Sequence, residues 1–209
     1  MIRAVPTGPG RAGAALLWLS LALAQGGCAM LGTSGTGSSG PSAQAWSARH
    51  AELSRLDHWL MQARIASGRI GWSGNLHWRQ DADHFDIRVS GPLGSGSFQA
   101  RGHLGEVEIR TAQESLITQN PEVLLREKMG WSLPLAQLRY WSIGLPYPTT
   151  PAAVRYDALG RLQSLEQDGW RLEYTEYGFY QHYELPRRFT LEDADNYFRV
   201  FIDAWSEIG

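Results

Sequence analysis

The single cysteine, Cys28, stands directly behind an apolar run, AALLWLSLALA (14–24), and ends the small-residue segment QGGC (25–28). A lone cysteine excludes an intrachain disulfide and a cysteine-rich zinc site. The six histidines are scattered, and none stands at ligand spacing from another. His77 and His84 fall in strand patterns separated by a turn and read as surface residues. No HExxH, GxSxG or P-loop pattern occurs. Carboxylates are plentiful, yet no pair is spaced as an acid and a base, although folding could bring distant ones together. The expectation is a non-enzyme, with no metal and no cofactor. One loop is odd. SGPLGSGS (90–97) joins two strand patterns and carries Leu93 among Gly, Pro and Ser. Two placements are open for it: folded back over a barrel rim, or exposed as an apolar tip that dips into a membrane. One buried leucine is worth about 1.5–3 kcal/mol, enough to bias an encounter but not to anchor a protein.

These residues need elements to position them. Arg3 and Arg11, the absence of acid before residue 28, and the apolar run make residues 1–27 a secretory signal. The run is too short to span a bilayer, which takes roughly 20 apolar residues. Cys28 then resembles the lipobox cysteine of bacterial lipoproteins, which is acylated after cleavage. Gly26 and Gly27 fit that pattern, and Gln25, where an aliphatic residue is usual, departs from it. Ala24-Gln25-Gly26 also suits an ordinary signal peptidase, which would leave Cys28 a free thiol. Ala29, rather than Asp, permits outer-membrane sorting by the same resemblance. Residues 31–43 are an uncharged Gly/Ser/Thr/Pro linker with a reach of about 20 Å. GPGRAG (8–13) and GTGSSG (35–40) match the letters of a dinucleotide fingerprint, but neither follows a strand, and both are accidents of composition.

The 209 residues include nine tryptophans, and 43% are hydrophobic and 19% charged, the composition of a folded chain. Arginine outnumbers lysine 18 to 1. The formal net charge is −2; loss of residues 1–27 leaves 17 basic residues against 21 acidic, or −4. Nucleic acid is a poor partner for such a chain. Residues 42–61 read as a helix with Trp46, Leu53, Leu56 and Leu60 on one stripe. Strand patterns follow over 64–72, 74–80, 84–90, 97–102, 106–111 and 115–118. Phe85, Ile87 and Val89 alternate with Asp86 and Arg88 in the third. Asn120-Pro121 opens a helix. A second covers 134–143, with Leu135, Leu138 and Trp141 at three-residue spacing. Strands resume over 154–157, 162–167, 170–177, 187–191 and 197–205, about eleven in all. Helices do not alternate with the strands, which speaks against a parallel α/β fold. A sheet this long must curl or close. The two short helices then either fill its concavity as an ordinary core or lid a partly empty apolar cavity.

In order along the chain stand Cys28, the Trp46 helix, SGRIGW (67–72), NLHWRQ (75–80), GPLG (91–94), NPEVLLREKMGWSLPLAQLRYWSIGLP (120–146), QDGWRLEYTEY (167–177), LPRRFTL (185–191) and a last strand near Trp205. Together they resemble the LolB family of outer-membrane lipoprotein receptors. The resemblance covers essentially the whole mature chain and implies a mainly β, single-domain fold: an unclosed antiparallel β-barrel of about eleven strands with a short-helix lid over an apolar cavity. The domains it implies are a signal peptide over 1–27, a lipidated N-terminus and linker over 28–43, and the barrel over 44–209. It further implies a receptor that is lipid-anchored in the outer membrane and faces the periplasm. The receptor takes triacylated lipoproteins from the periplasmic carrier LolA and inserts them into the phospholipid of the inner leaflet. Cys28 matches the acylated cysteine and Leu93 the protruding leucine of the insertion loop. Alternation and spacing nominate Trp72, Trp78, Phe85, Ile87, Val89, Phe98, Leu135, Leu138 and Trp141 as lining or lidding the cavity. A monomer is expected. The alternative is a lipid-tethered scaffold that binds a protein partner and carries no acyl chain.

Overall fold

The computed structural model describes residues 41–69, 71–131 and 133–209. The signal segment, Cys28 and most of the linker lie outside the described residues. Helix α1 (Pro41–Leu53) precedes eleven strands: β1 (His58–Ser67), β2 (Trp72–Asp81), β3 (His84–Ser90), β4 (Phe98–His103), β5 (Glu106–Thr111), β6 (Ser115–Thr118), β7 (Ala153–Tyr156), β8 (Leu162–Gln167), β9 (Trp170–Tyr180), β10 (Tyr183–Glu192) and β11 (Tyr197–Ser206). Helices α2 (Pro121–Met129) and α3 (Leu135–Ser142) fall between β6 and β7.

All eleven strands join one antiparallel sheet in the order β6-β5-β4-β3-β2-β1-β11-β10-β9-β8-β7. Each meander is built from sequential neighbours, and the pairing of β1 with β11 welds the two halves at the centre. The outermost strands, β6 and β7, are not paired with each other, so the barrel is open. The chain crosses from one edge to the other through α2 and α3. The sheet curls around these helices, because side chains of β2–β4 and of β10 line one cavity with α3.

Local chemistry explains the joints. Asp168 and Gly169 both take positive φ, 52° and 81°, as a two-residue hairpin between β8 and β9 requires. Pro186 sits in β10 at a register shift against β9, the place where a strand tolerates a residue without an N–H. Gly130 closes α2 in the left-handed region, its N–H donating to the Arg126 carbonyl at 3.0 Å.

The expected helix over 42–61 ends early. α1 stops at Leu53, and Leu60 belongs to β1. In β1 the buried residues are Trp59, Met61, Ala63, Ile65 and Ser67, a period of two. A short apolar run does not reveal its own period. Here the neighbours decide, since β1 pairs on one side with β2 and on the other with β11.

Candidate functional site: an apolar cavity, its lid and a protruding loop

The inward faces of the strands and the lid form one hydrophobic core, confined to residues 53–205. Within it lies a cavity of about 30 Å³, walled by Met61, Ile65, Leu76, Trp78, Ile87 and Val89 from β1–β3 and by Phe98 from β4. Phe189, Leu191 and Val200 close it from β10 and β11, and Leu133, Leu135, Leu138 and Ser142 roof it. A space of that volume holds a few water molecules at most, so the described state is closed and nearly filled. Of the two outcomes open from sequence, this conformation is the filled core, with the lid seated.

Six of the nine nominated cavity residues are in this wall: Trp78, Ile87, Val89, Phe98, Leu135 and Leu138. Trp141 belongs to the lid, outside the wall itself, and Phe85 and Trp72 lie elsewhere. Phe85 is buried at the far end of β3, opposite Gly102 and away from the cavity. Trp141 is fully buried, but its indole N–H donates to Gln167 Oε1 at 2.9 Å. Trp72 begins β2 at the rim and is only half-buried. The residues that sequence reasoning passed over, notably Met61, Ile65, Phe189 and Leu191, come from the central strands β1 and β10. Met61 falls inside the expected helix over 42–61, and Ile65 stands in the strand pattern over 64–72 without a nomination. In LPRRFTL the alternation of Phe189 and Leu191 is the signal that points to the cavity.

The lid is fastened differently at its two ends. At the Trp141 end, Gln167 is buried and fully engaged. Its Oε1 also accepts the Tyr147 N–H at 2.8 Å, and its Nε2 donates to the Tyr147 and Thr150 carbonyls at 2.7 and 2.9 Å. The Tyr174 hydroxyl donates to the Trp141 carbonyl at 2.9 Å, and burial pushes that hydroxyl's pKa well up, keeping it a neutral donor. At the other end Trp131, between α2 and α3, packs among rings: Trp72 and Phe98 at 5.7 Å and Phe198 at 5.6 Å between centroids.

The loop 91–97 rests on that aromatic end. The Trp72 indole N–H donates to the Ser95 carbonyl at 3.3 Å. A Cβ at Gly91 would lie 1.9 Å from the Ser95 oxygen and 2.8 Å from Trp72 Nε1, so only glycine fits there. The turn Pro92–Gly94 holds Leu93 at φ 53° and ψ 25°, a conformation leucine seldom takes. The result is a side chain with 108% relative exposure. Of the two placements open from sequence, the folded-back one is overturned. The left-handed turn throws Leu93 outward, while Trp72 fills the rim beneath it.

No polar cluster with catalytic form occupies the cavity. Gln80, buried nearby, is spent on structure: its Nε2 donates to the Ala82 and His84 carbonyls and its Oε1 accepts the Trp78 indole N–H. Among the described residues no group of three or more His, Cys, Asp or Glu side chains could hold a metal ion, and no helix is long and apolar enough to cross a membrane.

The family described as "Outer membrane lipoprotein LolB" matches residues 57–205. The Outer-membrane lipoprotein LolB of Pseudomonas aeruginosa (strain LESB58) is 39% identical over 166 residues, covering 78% of this chain and 81% of the relative. That of Stutzerimonas stutzeri (strain A1501) is 35% identical over 193 residues, covering 91% and 94%. Among solved structures, a LolA superfamily protein from Nitrosomonas europaea superposes with a TM-score of 0.49 at 8% identity, covering 79% of this chain and 92% of that one. With the open eleven-stranded sheet, the helical lid and the matched length, the chain belongs to the LolB family of outer-membrane lipoproteins.

Proposed function

We propose that this protein is an outer-membrane-anchored receptor. It accepts triacylated lipoproteins from the periplasmic carrier LolA and passes them into the inner leaflet, tethered by Cys28 after removal of residues 1–27. The observation that carries the reading is the cavity wall, which exposes no polar surface. A catalyst on lipid or glycan would need polar groups there.

The energetics explain why such a device is needed. Each buried CH₂ is worth about 0.8 kcal/mol, so three acyl chains carry on the order of 30 kcal/mol, less what they hide among themselves. Cargo on that scale does not diffuse free through water. The periplasm offers no ATP, so transfer runs down a gradient of affinity from carrier to receptor to bilayer.

A cavity of about 30 Å³ admits no acyl chain. Loading therefore requires the lid to lift. Trp141 is held by polar bonds from β8 and β9, whereas Trp131 rests on aromatic faces. We place the hinge at Trp141 and the opening at Leu133–Leu138. Because Trp131 stacks on Trp72, and Trp72 carries the Leu93 loop, displacement of the lid reaches the insertion tip through one pair of rings. Leu93 then meets the bilayer and Cys28 keeps the domain within reach of it.

The test uses residues 29–209, which contain the whole core. This protein is mixed with carrier loaded with labelled lipoprotein, and the label is followed onto the receptor and then into liposomes. Wild type is expected to take the label and deliver it. A protein that never takes the label overturns the receptor reading and leaves the scaffold.

A further inference from the structure

The outer face of the sheet beside the Leu93 loop carries a groove of about 660 Å³. Every charged residue lining it is an arginine: Arg64 on β1, Arg188 on β10 and Arg199 on β11. Ser73 and Asn75 of β2 add polar groups, and Pro92, next to Leu93, forms its end. This cationic surface belongs to a chain whose net charge is negative.

The arginines are gathered rather than scattered. Arg64 and Arg188 both stand opposite Phe201 across the ladder, and both guanidinium groups lie over its ring, at 4.3 and 5.0 Å from the centroid. Packing on one ring from the strands on either side of it orients their N–H groups without consuming all of them. Arg64 is also forked onto Asp203 at 2.8 and 3.1 Å, while the nearest carboxylate oxygen to Arg188, on Glu176, is 3.7 Å away. The Arg199 guanidinium has no hydrogen-bond or ion-pair partner among the described residues. Two guanidinium forks, Arg188 and Arg199, are thus largely unspent in a concave polar site. A planar fork matches a phosphate oxygen pair.

We propose that this groove receives the phosphodiester headgroup of a bilayer lipid while Leu93 enters the acyl region beside it. The proposal rests on the reading of Leu93 as the tip that meets the bilayer. The occupant follows from placement. An apolar tip and a cationic groove that share Pro92 match the two layers of one leaflet, acyl chain and phosphate. The groove would set the depth and orientation at which the domain meets the membrane, so that cargo leaves toward the acyl region rather than into water.

The experiment measures binding of residues 29–209 to vesicles of phosphatidylcholine alone and of phosphatidylcholine with phosphatidylglycerol, with inorganic phosphate as a soluble competitor. Each basic residue at an anionic surface contributes about fivefold in affinity, from about 1 kcal/mol. Arg188→Gln with Arg199→Gln is expected to weaken binding to the phosphatidylglycerol vesicles by roughly 25-fold. A charge-matched control, Arg79→Gln with Arg171→Gln, removes two arginines paired elsewhere with Glu207 and Glu166, and is expected to leave it near wild type. Leu93→Glu is expected to lose both vesicle types. Undiminished binding by the Arg188/Arg199 variant overturns the proposal. So does an equal loss in the control, which would reduce the effect to net charge. Displacement by millimolar phosphate without vesicle preference also overturns it, in favour of a free-anion site. Uptake of label from the carrier is followed in the same variants. Its absence in wild type overturns the receptor reading, and its persistence in the Arg188/Arg199 variant shows that a loss on vesicles belongs to the groove alone.

Discussion

The two tryptophans that bound the lid, Trp131 and Trp141, are both buried, yet they are held by different forces. Trp141 has its indole N–H on Gln167 and its carbonyl on Tyr174. Trp131 sits in a cage of three rings. A buried hydrogen bond is directional and costly to leave unmade. Ring packing is worth about 0.5–1.5 kcal/mol per pair beyond area and tolerates sliding. In the proposed opening the first end is the pivot and the second the latch, and Trp72, packed on that latch, donates to Ser95 of the loop that carries Leu93.

The strongest way to break this contrast is at the pivot. Gln167→Leu strips partners from Trp141, Tyr147 and Thr150, and should destabilise the fold by about 3 kcal/mol in denaturant unfolding. A loss under 1 kcal/mol would mean that water replaces those bonds and that Trp141 is no pivot. At the latch, Trp131→Phe keeps a ring and should cost about 1–2 kcal/mol, less than at the pivot. Its sharper effect is local: amide exchange at Gly94 and Ser95, whose N–H groups donate to Gly91 and Pro92, should quicken several-fold. Unchanged exchange there would uncouple lid from loop.

Leu93→Glu should move stability by less than about 0.5 kcal/mol, since the side chain touches nothing that folding needs. Delivery to liposomes should nevertheless stall after a normal uptake of label. Normal delivery would strip the loop of its role. The smallest effect lies at the sheet edge. Hydrogen bonds from Ser115, Arg101 and Arg110 hold the half-buried Glu108 carboxylate down at about 2, below its ordinary 4.5. A carboxylate depressed in the folded state stabilises above its unfolded pKa and loses that contribution as pH falls from about 4.5 through about 2. Glu108→Gln should flatten that limb of melting temperature against pH slightly. An identical limb would show that water screens these contacts.

Much of this molecule was legible along the chain. β3, β5, β6 and β8 fall where strict alternation or a short bounded run predicts them, because half-buried antiparallel strands impose a period of two. The Ile87–Val89 stripe and the Leu135–Leu138 spacing also foretold which side chains meet in the cavity wall. Trp72 and Phe85 obey the same patterns and lie elsewhere, and Trp141 stands in the lid but off the cavity wall. Periodicity says which face a residue takes, not how far along the strand the roof extends or which polar partner claims an indole.

What the sequence determined by itself is the alternation that builds a one-sided sheet, the Pro and Gly signals that interrupt it with two helices, and the Gly-rich loop around one leucine. Those properties are local and are set by each residue's own backbone and side-chain preferences. Only the tertiary structure decided that β1 is a strand from His58, that the lid closes the cavity to about 30 Å³, that Leu93 points outward from a left-handed turn, and that Arg64 and Arg188, 124 residues apart, share one ring and one groove. Each of those depends on strands distant in sequence becoming neighbours. The pairing of β1 with β11 makes them so, and no local pattern encodes it.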